Sequence, residues 1–310
     1  MRVSRRGFTL VEVMIALALA GIAASFMIGT LVRQQRFYSS AAAILDTRAQ
    51  LRDAADVLTT DIRSAATGLL GLPAMHDSAI EMYSTIATSV ACTIQSATTF
   101  GLPPRRMESG TTLTSILALP DTGDLAIVFT YPPGKPDSGN WEALRVASFQ
   151  PRTVTSSCPS STGFTTSADE TNAAGGFTVS FASAPVTPVS QGSPIHFVRR
   201  ARYSLYRSSD NKWYLGHRRC SPTGVSSCAG IQPVSGPYEK YSSSGRSGLS
   251  FKYFDSGGTQ LSSSDNSNLV ARIDVVLRGK SSRFANLAGD NRSTYTDSVV
   301  VSVSPRNRSR

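Results

Sequence analysis

The segment from Phe8 to Val32 holds about 25 residues and a single charged side chain, Glu12, and that combination constrains the chain more than any other feature. An apolar run of this length can span a bilayer. A carboxylate inside hydrocarbon is costly, so an ionisable residue there marks a functional site whose partner has to be named. Glu12 therefore calls for a cation. Cleavage between Gly7 and Phe8 would create one, the α-amino group of Phe8, four residues upstream. Within one chain that amine sits at the helix end while Glu12 points sideways. The pairing suits staggered, parallel chains, in which each Glu12 meets the Phe8 amine of a neighbour and membrane-stored monomers gain by polymerising.

Two plainer readings compete. A secretory signal would show a shorter apolar core before a small-residue cleavage site, which Ala23, Ala24 and Ser25 imitate. A plain anchor leaves Glu12 unexplained.

The stretch Arg5-Arg6-Gly7-Phe8-Thr9-Leu10-Val11-Glu12, followed by about twenty apolar residues, resembles the class III signal of type IV prepilins and pseudopilins. The resemblance implies removal of residues 1–7 by prepilin peptidase, N-methylation of Phe8, and retention of residues 8–32 as membrane anchor and filament core. In one departure, many major pilins carry a proline in the second half of this segment, where Gly21 and Gly29 are the only helix weakeners here. Arg2, Arg5 and Arg6 favour a cytoplasmic N-terminus. That orientation predicts a single-pass inner-membrane protein with its C-terminal domain in the periplasm, and later on a pilus at the cell surface.

The apolar pattern continues past Val32. Phe37, Ala41, Ile44, Leu45, Arg48, Leu51, Ala55, Leu58, Ile62, Ala65 and Leu69 recur at helical spacing, and no proline interrupts residues 8–72. Gly68, Gly71 and Pro73 supply stop signals, so residues 33–72 read as an amphipathic continuation of one helix. Asp46, Asp53, Asp56 and Asp61 alternate with Arg48, Arg52 and Arg63, either as helix-type ion pairs on a solvated face or as bridges between subunits.

From residue 73 to 310 the composition turns to Ser, Thr and Gly with short β-type runs. Strands are predicted over 79–85, 88–95, 124–131, 142–150, 176–182, 194–206, 212–220, 249–254, 270–278 and 294–304. Ser208 to Asn211 and Asp255 to Gly258 read as hairpin connections. Long polar loops fall around 132–140, 156–174 and 236–248. The fold class is α+β, a long N-terminal helix packed on an external antiparallel β-rich domain. Ala201 to Arg207, Leu249 to Asp255, Ala271 to Leu277, and Val299 to Val303 with Pro305-Arg306-Asn307 are similar to the strand series of large PilW-type minor pilins and J-type pseudopilins. The resemblance implies a pilin-like domain and a minor component, since major pilins are about half this size.

Four cysteines, Cys92, Cys158, Cys220 and Cys228, lie beyond the apolar segment, where disulfides form, and three connectivities are open. Ser221-Pro222-Thr223-Gly224 supplies turn chemistry that favours Cys220 with Cys228, leaving Cys92 with Cys158. A zinc site of His217, Cys220 and Cys228 is the sharper alternative, but the spacing is no CxxC pair and a fourth ligand is missing. Asp255 to Asp265 lacks the alternation and closing Glu of a calcium loop and reads as a polar turn.

The net charge of +10 includes the leader arginines, the tail residues Arg306, Arg308 and Arg310, and a cluster of Arg199, Arg200, Arg202, Arg207, Arg218 and Arg219. Solvated strand faces and subunit contacts explain it more simply than nucleic acid, for which no motif accompanies the cluster. No phosphate loop, HExxH or GxSxG is present, and His76, His196 and His217 stand in no catalytic arrangement. The expectation is a non-enzymatic minor pilin without cofactor or metal that primes or caps a type IV pilus at its tip. Its partners would be other minor pilins, the major pilin, a tip adhesin, the platform protein and the peptidase. A minor pseudopilin of type II secretion, or a tip module binding DNA or another ligand, are the alternatives.

Overall fold

The structure is a computed structural model that describes residues 9–131, 138–151, 158, 160, 165–171, 175–220, 228, 230–243, 245–285 and 293–306. Gly7, Phe8 and the leader lie outside it, as do the turn residues Ser221 to Gly224 and the tail arginines Arg308 and Arg310.

Helix α1 (Leu10–Ser64) is 55 residues long, about 80 Å at 1.5 Å per residue. It runs unbroken through Gly21 and Gly29. It stops well short of the expected residue 72: the Ala65 N–H turns back to the Ile62 carbonyl, and the Ala66 N–H donates to Tyr83 in the sheet. A sheet edge, rather than Gly68 or Pro73, ends the helix. One further turn, α2 (Thr67–Leu70), precedes the sheet.

The strands are β1 (Ala74–Met75), β2 (Ala79–Val90), β3 (Thr93–Ser96), β4 (Thr99–Leu102), β5 (Ser115–Ile116), β6 (Leu125–Thr130), β7 (Asn140–Pro151), β8 (Phe177–Phe181), β9 (Pro194–Arg207), β10 (Trp213–Arg219), β11 (Gln232–Tyr238), β12 (Leu249–Phe254), β13 (Gln260–Leu261), β14 (Arg272–Ala285) and β15 (Ser293–Val303). A short helix, α3 (Ser167–Thr171), lies between β7 and β8. The described ladders are all antiparallel, and the main path runs β13-β12-β14-β11-β10-β9-β6-β7-β8-β4-β3. The fold is α+β, a long apolar helix followed by a large antiparallel sheet. The predicted runs 79–85 and 88–95 divide differently, because β2 absorbs the first part of the second run through a register shift between Thr85 and Ala87.

Strand β9 is the spine. Pro194 to Ser204 pairs with β2 along one edge, while the other edge pairs first with β6 and then with β10. Two cores result. In one, Leu51, Leu58 and Ile62 of α1 pack on Ile80, Met82, Leu215, Phe251, Ile273 and Leu277. In the other, Phe100, Leu102, Val128, Val146, Val179, Phe181, Ile195 and Phe197 pack together without the helix. Alternation along β14 turns Ile273, Val275 and Leu277 inward, as the period-2 geometry of a strand demands.

The α1 face that meets the sheet is not the one its larger side chains suggest. Phe37 and Leu45 are 69% and 65% exposed, whereas Ser40, Ala43 and Thr47 are buried. Small residues allow close approach, as at Gly279 on β14, where an added Cβ would sit 3.0 Å from Thr47 Cγ2 and 3.1 Å from Leu51 Cγ. Gly279→Val is therefore expected to destabilise the domain by about 1–3 kcal/mol. An unchanged denaturant midpoint would show that the helix can back away freely.

Among the three histidines, His196 in β9 is half-buried with its ring centroid 5.3 Å from that of Trp141. Burial lowers its pKa from 6.5. The unfolded imidazole thus takes a proton first, so this contribution to stability is complete above about pH 6.5 and falls as the pH drops below it. Denaturant unfolding across that window should be less pH-dependent in His196→Gln, and an unaltered slope would place the effect on other groups.

Candidate assembly site

Thr9 caps α1 with extended backbone geometry, and Leu10 begins the helix. The Glu12 N–H donates to Thr9 Oγ1 at 3.3 Å, while Thr9 N–H and Thr9 Oγ1 donate to Glu12 Oε2 at 2.9 and 3.1 Å. This is a capping box, in which two orphan N–H groups of the first turn are satisfied reciprocally. Sequence reasoning assigned Glu12 only the search for a cation. The Thr9-x-x-Glu12 spacing carried the capping signal, but membrane cost dominated the reading. The correction is one of degree: hydrogen bonds satisfy Oε2, and neither donor brings a positive charge.

Every side chain from Thr9 to Ser39 is exposed, including Leu10, Met14, Leu17, Ile22, Phe26 and Leu31. A helix apolar all round and uncovered by its own domain requires lipid or other helices. Two hydroxyls within the apolar run are satisfied internally: Ser25 donates to the Ile22 carbonyl at 2.7 Å and Thr30 to that of Phe26 at 2.9 Å, as a non-aqueous setting demands.

The second half of α1 is tied to the sheet by polar contacts. Arg48 Nε meets Asp297 Oδ2 at 3.0 Å, and the Tyr295 hydroxyl donates to Asp297 at 2.8 Å. These contacts depress the Asp297 pKa, the Tyr295 hydrogen bond most. The Tyr203 hydroxyl donates to Asp61; burial, then the Asp61 charge, raises the phenol pKa so that it remains a donor. Tyr238, pushed up to about 12 chiefly by burial, donates to the Gln50 carbonyl at 3.4 Å. Arg48 and Asp61, read from sequence as helix-surface or subunit charges, thus act between helix and sheet.

The arginine cluster is also largely internal. Arg199 Nε holds both Asp124 oxygens at 2.8 and 3.0 Å. Arg200 Nε reaches Glu81 Oε2 at 2.9 Å, and Arg202 Nη1 reaches Glu81 Oε1 at 3.0 Å. Periodicity could not reveal Glu81 or Asp124, since each meets its arginine across strands far apart in sequence. Half of the cluster, read from sequence as solvated strand faces and subunit contacts, is thereby committed to carboxylates.

Disulfides join Cys92 to Cys158 and Cys220 to Cys228. The second overturns the zinc alternative, because both sulfurs are bonded to each other and His217 packs against Tyr203 instead, 5.0 Å between centroids. The Ser208 to Asn211 turn closes β9 and β10, with Asn211 at φ 63° and its N–H donating to Ser208 at 3.0 Å. Asp255 to Gly258 likewise connects β12 and β13.

A helix long and apolar enough to cross a membrane, with a capped, acid-bearing first turn and a β-rich head, is the architecture that results. Residues 2–28 match the family model described as Prokaryotic N-terminal methylation motif. This match is confined to the N-terminal segment and supports a type IV prepilin/pseudopilin-like protein. Comparison with curated proteins and with solved structures finds no match.

Proposed function

We propose that the chain is a minor pilin that primes or caps a type IV pilus at its tip. The observation carrying this reading is the stretch of α1 from Thr9 to Ser39, fully exposed and contiguous with the methylation motif. After cleavage at Gly7, it would sit first in the inner membrane, head in the periplasm, and then among neighbouring helices in the filament. The large 15-stranded sheet favours a tip position, where neighbours do not crowd the head. The role is structural and non-catalytic, exercised with other minor pilins, the major pilin, a tip adhesin, the platform protein and the peptidase.

A deletion strain assayed for both surface pili and exoprotein release tests the reading. Loss of pili with secretion intact is expected. Loss of secretion with normal pili would assign the chain to a type II secretion filament instead. Mass spectrometry of the mature protein should give a methylated Phe8 N-terminus, and a terminus near Ser25 would defeat both.

A further inference from the structure

A cleft of 510 Å³ opens beside the β9–β10 hairpin, lined in part by Ser78, Arg202, Ser204, Trp213, Arg218 and Tyr241. Its charges are set by strand register. Glu81 on β2 stands opposite Arg202 on β9, which stands opposite Arg218 on β10. Opposed residues in antiparallel strands share a face, and Ile80 and Tyr203, next to Glu81 and Arg202, point the other way into the helix-backed core, as does Leu215, three residues before Arg218.

The row is electrostatically incomplete. Glu81, 2% exposed, accepts from both Arg200 and Arg202, and Arg200 has a further interaction besides. Arg218 adds a third guanidinium, and its Nε is buried without a hydrogen-bond partner among the described residues. A buried donor left unpaired is destabilising and marks a place where an acceptor belongs. The Cys220–Cys228 disulfide fixes the end of β10, and the cysteine sulfur positions lie within 4.8 Å of a Glu81 oxygen. Arg202 is held on Glu81 and Tyr241 on Asp77 before any ligand arrives, which lowers the ordering cost of binding.

The lining identifies the ligand's chemistry. A guanidinium fork matches a planar carboxylate better than a point charge does. Ser78 and Ser204 offer hydroxyls that both donate and accept, and Trp213 and Tyr241 add aromatic surface with a polar edge. An apolar ligand would leave these groups unpaired. A nucleotide base would call for stacking aromatic faces as its principal contact, whereas Trp213 and Tyr241 are only two of the nine lining residues and the lining surface is mainly polar.

We propose that this cleft binds the carboxylate-bearing sugar of an acidic glycan, with its carboxylate on Arg218 beside Arg202 and its hydroxyls on Ser78 and Ser204. The site gives the head a recognition role that does not depend on its place in a filament.

Titration of the full-length protein in neutral detergent micelles tests this, with glucuronate and N-acetylneuraminate as probes, and glucose, inorganic phosphate and AMP as comparisons. At least one sugar acid should bind in the millimolar range and glucose at least tenfold more weakly. Arg218→Gln should weaken sugar-acid binding at least tenfold and Arg218→Lys less, while Arg219→Gln, altered on the next residue along β10, binds as the native chain does. Thermal unfolding of each variant separates loss of the site from loss of the fold; if Arg218→Gln unfolds, the Arg218→Lys comparison decides. Equal binding of glucose, tighter binding of phosphate or AMP, no sugar-acid binding at 50 mM, or affinity indifferent to Arg218 would each overturn the proposal. None of these outcomes depends on filament assembly, so failure here leaves the pilin reading standing.

Discussion

Glu81→Leu is expected to destabilise the head by about 3–5 kcal/mol, because it removes the carboxylate shared by Arg200 and Arg202 from beside buried positive charge. Arg200 is 8% exposed and cannot turn to solvent; Arg202, 35% exposed, can do so in part. The loss therefore falls mostly on Arg200. A second substitution, Arg200→Met, should recover most of it, since a pair of apolar side chains of similar volume replaces a buried ion pair at little net cost. Chemical denaturation of the native, single and double variants gives the coupling directly. If the single variant loses less than about 1 kcal/mol, the range of an exposed pair, this ion pair is not the buried one described here.

The second large effect concerns Glu12, where two physical roles coincide. As part of the capping box it satisfies the Thr9 N–H, and such caps are worth about 0.5–2 kcal/mol. As a charge in an apolar segment it is proposed to pair with the Phe8 amine of a neighbouring subunit. Glu12→Ala removes both and should leave processing intact while reducing incorporation into filaments at least tenfold, the equivalent of about 1.4 kcal/mol per subunit. Glu12→Gln separates them, because its amide oxygen still accepts from Thr9 but carries no charge. Pairing between subunits requires that the Gln variant also fail to incorporate. Incorporation of the Gln variant at the native level would reduce Glu12 to a helix cap.

The legibility of the chain varied with the range of the interaction. The hairpins at Ser208 to Asn211 and Asp255 to Gly258 were readable because each turn is specified by its own few residues. Strand β11 was missed, and its sequence explains why: Pro233, Gly236 and Pro237 within Gln232–Tyr238 read as a loop, since proline lacks the N–H that a ladder uses. The strand survives between β10 and β14 through an irregular register, with shifts on either side of Leu215. The end of α1 was misplaced for a similar reason, because the Tyr83 carbonyl that captures Ala66 is invisible until β2 lies alongside. The cleft at Arg218 was legible only as one more arginine in a basic cluster.

What the sequence determined by itself was everything carried by local chemistry: the apolar length from Phe8 to Val32, the single carboxylate within it, the amphipathic continuation and the β character beyond. Only tertiary structure decided which α1 face lies on the sheet, which arginines are neutralised and where one is left with an unpaired nitrogen. The physical reason is that hydrophobic length and backbone propensity are additive along a chain. Burial of Ala43 over Phe37, and of Arg200 against Glu81, depends on which strands meet, and strand pairing fixes that across more than a hundred residues of sequence.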